Sequence, residues 1–112
     1  PDAIPTITEV CTEECAEGRL RVVVQVGNGG MTDMPAGLTV KVYGEYKGDW
    51  ALLDEAVTTD SVVPGSTTTG MVFDLNADYA RGAMKVEVSG NEEMVECDET
   101  NNAVESTETC PQ

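Results

Sequence analysis

From Arg19 to Val26 the chain reads RLRVVVQV. Drawn out as a strand, this run sets Leu20, Val22, Val24 and Val26 on one side and Arg19, Arg21, Val23 and Gln25 on the other, the two-residue period of a strand with one buried face. Three consecutive valines weigh against a helix, because β-branched side chains crowd the preceding helical turn and fit a pleated surface well. The run therefore reads as the central strand of an all-β domain. Gly27-Asn28-Gly29-Gly30 follows it, with glycines and an asparagine that suit the positive backbone dihedrals of a tight turn.

The same alternation recurs along the chain. Residues 1–10, PDAIPTITEV, form an extended lead-in with Ile4, Ile7 and Val10 as expected core contacts, and Pro5 confines it to a sheet edge because it offers no N–H to a second neighbour. Residues 11–18 are a polar connection. Leu38, Val40 and Val42 alternate with Thr39, Lys41 and Tyr43 in a second strand that ends near Tyr46. Lys47-Gly48-Asp49 is a turn, and residues 50–58, WALLDEAVT, read as a strand given their neighbours. Pro64-Gly65-Ser66 marks another turn. Residues 67–75 then resume a strand expected to face Thr69, Met71, Phe73 and Leu75 inward, and residues 76–82 make a loop or a single helical turn. Met84, Val86 and Val88 give one more apolar face. Residues 102–109 close the chain as a polar, Thr-rich strand. About seven short strands separated by Gly, Pro and Asn turns predict two antiparallel sheets packed as a sandwich.

At 112 residues the chain suits one domain, residues 1–112. Trp50, Phe73, Tyr43, Tyr46 and Tyr79 are its only aromatic residues, so the interior must be mainly aliphatic. Six basic against 21 acidic residues leave a formal net charge of −15, a field that repels phosphate backbones and anionic lipid and so argues against nucleic-acid partners. The simple account of this excess is a solvated acidic surface. The absence of histidine removes histidine-based triads and the commonest metal ligand. No apolar run approaches the ~18 residues that cross a membrane. The chain opens on Pro1 rather than Met, which reads as a mature or excised segment, so the lack of an export signal carries no weight.

Two motifs together resemble one family. A strand ending in valine runs into an Asn-Gly turn, Val26-Gly27-Asn28-Gly29-Gly30, and the closing signature is Glu96-Cys97-Asp98-Glu99-Thr100-Asn101-Asn102. Both are similar to the CARDB family, cell-adhesion-related domains of bacterial and archaeal surface proteins. The extended opening and Val63-Pro64-Gly65-Ser66-Thr67 fit the same template, so the resemblance covers nearly the whole chain. It implies an immunoglobulin-like β-sandwich, one module of a longer exported protein, without enzymatic activity of its own. The chain departs from the pattern in its four cysteines and in the acidic insertion at residues 91–96.

Four cysteines, Cys11, Cys15, Cys97 and Cys110, form an even set in a small acidic chain, which points to disulfides and an oxidising compartment. A four-thiolate zinc site is the competing reading, but the usual Cys-x2-Cys knuckles are missing. In an immunoglobulin-like layout the first and last strands end at the same pole. A strand of about eight residues between Cys97 and Cys110 would hold them ~26 Å apart, far beyond disulfide reach. The expected pair is therefore Cys110 with Cys11 or Cys15, which leaves Cys97 for another chain or for the remaining cysteine. Asp98, Glu99, Asn101 and Asn102 concentrate oxygen ligands of the kind Ca²⁺ prefers, without the Asp-x-Asp-x-Asp-Gly spacing of a dedicated loop; a turn held by side-chain hydrogen bonds explains them as well. No other cofactor is implied. Tyr43, Tyr46 and Trp50 are a candidate platform for sugar stacking. Acidic pairs such as Asp54 with Glu55, or Glu13 with Glu14, lack the aromatic cleft that glycoside hydrolysis would require. The resulting expectation is an exported, non-enzymatic structural or adhesive module with protein partners or neighbouring modules. The alternatives are a calcium- or carbohydrate-binding module and a filament subunit that self-associates through its strand edges.

Overall fold

In the computed structural model, which describes residues 3–79, 82–89 and 103–107, the alternating stretches become strands of two antiparallel sheets. One sheet holds β1 (Ala3–Cys11), β2 (Arg19–Asn28) and β5 (Met71–Asn76) in the order β1-β2-β5. The other holds β3 (Thr39–Tyr46), β4 (Asp49–Val57), β6 (Met84–Ser89) and β7 (Ala103–Ser106) in the order β4-β3-β6-β7. This is an immunoglobulin-like β-sandwich in which the fourth strand lies beside β3 rather than beside β5. Leu20, Val22, Val24 and Val26 of β2 meet Val40, Val42, Met84, Val86 and Val88 of the opposite sheet in the buried interior, and Phe73 joins them. As expected, RLRVVVQV is the middle strand of its sheet.

Two bulges keep apolar residues inward where simple alternation would expose them. Ile7 and Val10 are three residues apart, an odd spacing that a regular strand sends to opposite faces. The β1–β2 register shifts between Ile7 and Glu9, so Ile7 lies opposite Val24 and Val10 opposite Val22, and both pack on the core. Thr8 is the extra residue, and its Oγ1 donates to the Val23 carbonyl at 3.2 Å. Ile4 is a correction: parity before the bulge turns Ala3 and Pro5 inward and leaves Ile4 only partly covered. On β4 the shift falls between the partners of Val42 and Tyr43, making Leu53 the extra residue, and Leu53 and Ala56 both reach the core.

The pole where β1 begins is tied together by Asn28. Its side-chain Nδ2 donates to the carbonyls of Thr32 at 2.7 Å and Val62 at 2.9 Å, and its Oδ1 accepts from the Gly30 N–H at 3.0 Å. Left-handed backbone was expected across Gly27 to Gly30, but the positive φ values in this part of the chain occur at Gly37 and Gly65. The amide of Asn28 shapes the turn instead. Gly65 follows Pro64 in a tight turn closed by Ser66 N–H to Val63 O at 3.1 Å, with φ +82° as the third position of a type II turn demands.

The strand expected from Thr67 begins only at Met71. Val24 pairs with Met71, but Gly27 bridges Thr67, which is one residue out of step, so the inward face switches from odd to even positions. Thr68 is therefore buried and Thr69 exposed. The Thr68 N–H donates to Val26 O at 2.9 Å, and its Oγ1 accepts from the Val26 N–H at 3.0 Å. At the other end, β7 stops at Ser106, short of the expected Thr109.

Strand directions place the start and finish of the sandwich apart. Ala3 pairs with Asn28 at one pole, whereas Ser106 pairs with Met84 at the other, and the molecule measures 43 × 25 × 18 Å. Cys11, opposite Arg21, lies at the same pole as Ser106.

Candidate binding surface

The four-stranded sheet turns an unusual outer face to solvent. Inward Val40 and Val42 send Thr39, Lys41, Tyr43 and Glu45 outward, and the ladders set their neighbours. Lys41 lies between Glu55 of β4 and Glu87 of β6, Tyr43 between Leu52 and Lys85, and Glu45 opposite Trp50. Glu105 of β7 flanks Lys85. The Lys85 ammonium stands 5.0 Å from the ring centroid of Tyr43 and 5.0 Å from that of Trp50, a cation held over two aromatic faces. Along edge strand β4, Trp50, Leu52 and Val57 remain 37%, 51% and 56% exposed. The bulge at Leu53 keeps all three on this outer side.

This geometry divides the expected sugar platform. Tyr43 and Trp50 come together on the outer face, but Tyr46 shares the parity of Val40, Val42 and Gly44, and its ring lies under Lys47 at 5.2 Å. Lys47 has φ +54° and Gly48 φ +85°, the two left-handed positions of a type I′ hairpin turn between Tyr46 and Asp49. Lys85 covers a face of each remaining ring, so it occupies space that a stacking sugar would need. Trp50 was named from the sequence, but Lys85, Leu52 and Val57 did not stand out there, because their meeting depends on the β3–β4 and β3–β6 registers.

The three-stranded sheet presents different chemistry outward. Arg21 Nε donates to Asp74 Oδ1 at 3.0 Å across the β2–β5 ladder. That hydrogen bond first, and the Asp74 charge second, raise the Arg21 pKa. Between the sheets' edges, Ile7, Val10 and Val104 form the apolar floor of a shallow groove of about 300 Å³ flanked by Glu9 and Glu105. Three of the four sheet edges resist strand addition: β1 carries Pro5 and a bulge, β4 a bulge, and β7 only four residues, while β5 is a regular edge strand.

Cys15 starts a short 3-10 turn after β1 and is disulfide-bonded. Cys11, expected to be paired, is a half-buried free thiol. It is fixed in the β1–β2 ladder opposite Arg21, while Cys15 belongs to the turn that leads into β2 and packs on the core. Cys97, Cys110 and the calcium candidates Asp98, Glu99, Asn101 and Asn102 lie outside the described residues. Among the described residues no three His, Cys, Asp or Glu side chains converge as metal ligands. None of the described helices is long and apolar enough to cross a membrane.

The architecture defines a small two-sheet β-sandwich module. Its fold is similar to part of β-glucosidase 3B from Thermotoga neapolitana, solved in complex with α-D-glucose, with a TM-score of 0.56 over 98% of this chain at 18% identity. The match spans 16% of that protein's chain. Likeness at this identity establishes the fold alone. No protein-family model matches the sequence, and no curated protein does.

Proposed function

We propose that the chain is an exported, non-enzymatic structural or adhesive module of the CARDB type, which holds a spacing between its neighbours and presents a surface. The observation that carries this reading is the arrangement of its ends: β1 starts at one pole and β7 finishes at the other, along a body 43 Å in its longest dimension. A bead of that form adds length to a stalk without folding the chain back. The charge of −15 keeps such a module soluble and resists non-specific association, and the disulfide at Cys15 suits an oxidising compartment outside the cytosol. Its protein partners are neighbouring modules or a surface docked against the sheet.

Protease treatment of intact source cells tests the location. Peptides of this chain released from the cell exterior support export, and recovery from the cytosol alone overturns it. Pulling the folded chain between its ends in a single-molecule force measurement tests the spacer role. One cooperative unfolding event at sustained force is expected; gradual extension under low force rules the role out.

A further inference from the structure

We infer that the outer face of the four-stranded sheet is a docking surface for a second copy of this chain. Three of the seven exposed large hydrophobic side chains among the described residues, Trp50, Leu52 and Val57, project from this one face of one edge strand, and Tyr43 lies beside them in the next. Trp and Tyr are the residue types that anchor protein interfaces. Lys85, set between Tyr43 and Trp50, holds their rings in place before any partner arrives, so less side-chain freedom is lost on docking.

Charge selects the occupant. Although the chain as a whole carries −15, this face alternates signs: Lys41 and Lys85 are interleaved with Glu45, Glu55, Glu87 and Glu105. A copy approaching in a two-fold arrangement can therefore set lysines against glutamates here, and it meets less repulsion than on an all-acidic face. Strands about 4.8 Å apart, with rises of about 3.3 Å per residue, give the face an area on the order of 400 Å². Two such faces bury about 800 Å² in total, below the standard size of a stable interface and in the range of weak, transient association, so the dimer is a reversible one. Both edges of this sheet are blunted, β4 by its bulge and β7 by its four-residue length, which leaves face-to-face packing rather than strand addition as the geometry of contact here. The inference rests on this patch and holds whether or not the chain is exported.

Sedimentation velocity of the full chain from about 10 μM to about 1 mM tests it, at about 0.05 and about 0.5 M sodium chloride. The expected result is a reversible rise from the 11.9 kDa monomer toward twice that mass at both salt concentrations, since salt screens the net repulsion and the lysine–glutamate pairs alike. Trp50 is the single tryptophan, so its emission shifts to shorter wavelength over the same range as it leaves water. Leu52→Glu, at an exposed site that cannot disturb the core, weakens association at least tenfold. Val72→Glu, equally exposed at 58% on the opposite sheet, leaves it unchanged. A monomer under every condition overturns the inference, as does association that survives Leu52→Glu or is lost only in Val72→Glu.

Discussion

The two sheets are alike inside and unlike outside. Inward, each offers aliphatic side chains to a shared core, with Val22, Val24 and Phe73 on one side and Val40, Val42 and Val86 on the other. Outward, the three-stranded sheet carries the exposed Arg21–Asp74 pair, whereas the four-stranded sheet carries an aromatic and aliphatic patch braced by Lys85. Burial constrains the inner faces equally, because a polar atom there must find a hydrogen-bond partner, as Asn28 and Thr68 do, or lose water without compensation. Nothing in folding alone requires Trp50, Leu52 and Val57 to stand in water on one flank, and the proposed docking of a second copy rests on that difference between the outer faces.

The comparison can be broken first at the core. Phe73→Ala removes the largest fully buried side chain among the described residues and is expected to cost about 3–5 kcal/mol in urea unfolding, while Met84→Ala on the opposite sheet costs about 2–5 kcal/mol. A much smaller loss on one side would mean that the inner faces are not equivalent. Next comes the pole that joins the sheets. Asn28→Ala leaves the Thr32 and Val62 carbonyls and the Gly30 N–H without their side-chain partner, an expected loss of about 2–3 kcal/mol. Amide exchange should quicken at Met34 and Val62, which bridge each other beside it.

The outer faces respond more weakly. Lys85→Ala is expected to cost about 1 kcal/mol or less and to change Trp50 emission by freeing one ring face. Asp74→Ala on the other sheet should cost less still, under about 0.5 kcal/mol, because both partners of its ion pair are about half exposed. Asp74 raises the pKa of an already strongly basic Arg21, so the cation's share is fully present at lower pH and is lost only as pH climbs through that raised value. Thermal unfolding of the Arg21→Gln variant from neutral to mildly alkaline pH should therefore run parallel to that of the parent chain. Equal effects of Lys85→Ala and Asp74→Ala would remove the contrast between the two surfaces.

Much of the fold was legible locally. The alternation of Arg19–Val26, Leu38–Tyr46 and Met84–Val88 required no partner to be read, since a period of two follows from the pleat of a single strand. The turns at Lys47-Gly48 and Pro64-Gly65 were equally plain, because few residues tolerate positive φ. Failures came where pairing, not periodicity, chose the face. Ile4 gave way to Ala3 and Pro5, and Thr69 to Thr68, at positions where the register slips by one residue. The platform expected of Tyr43, Tyr46 and Trp50 lost Tyr46 to strand parity and acquired Lys85 from a strand distant in sequence.

By itself, then, the sequence determined an aliphatic two-layer β fold, the faces of its regular strands and a strongly acidic composition, because each follows from side-chain chemistry at short range. Only the tertiary structure decided which exposed residues share a surface, where the bulges fall, and that Asn28 ties two loops to one strand end. Those depend on ladders between residues far apart along the chain, and a one-residue shift in such a ladder exchanges inside for outside while leaving the local pattern unchanged.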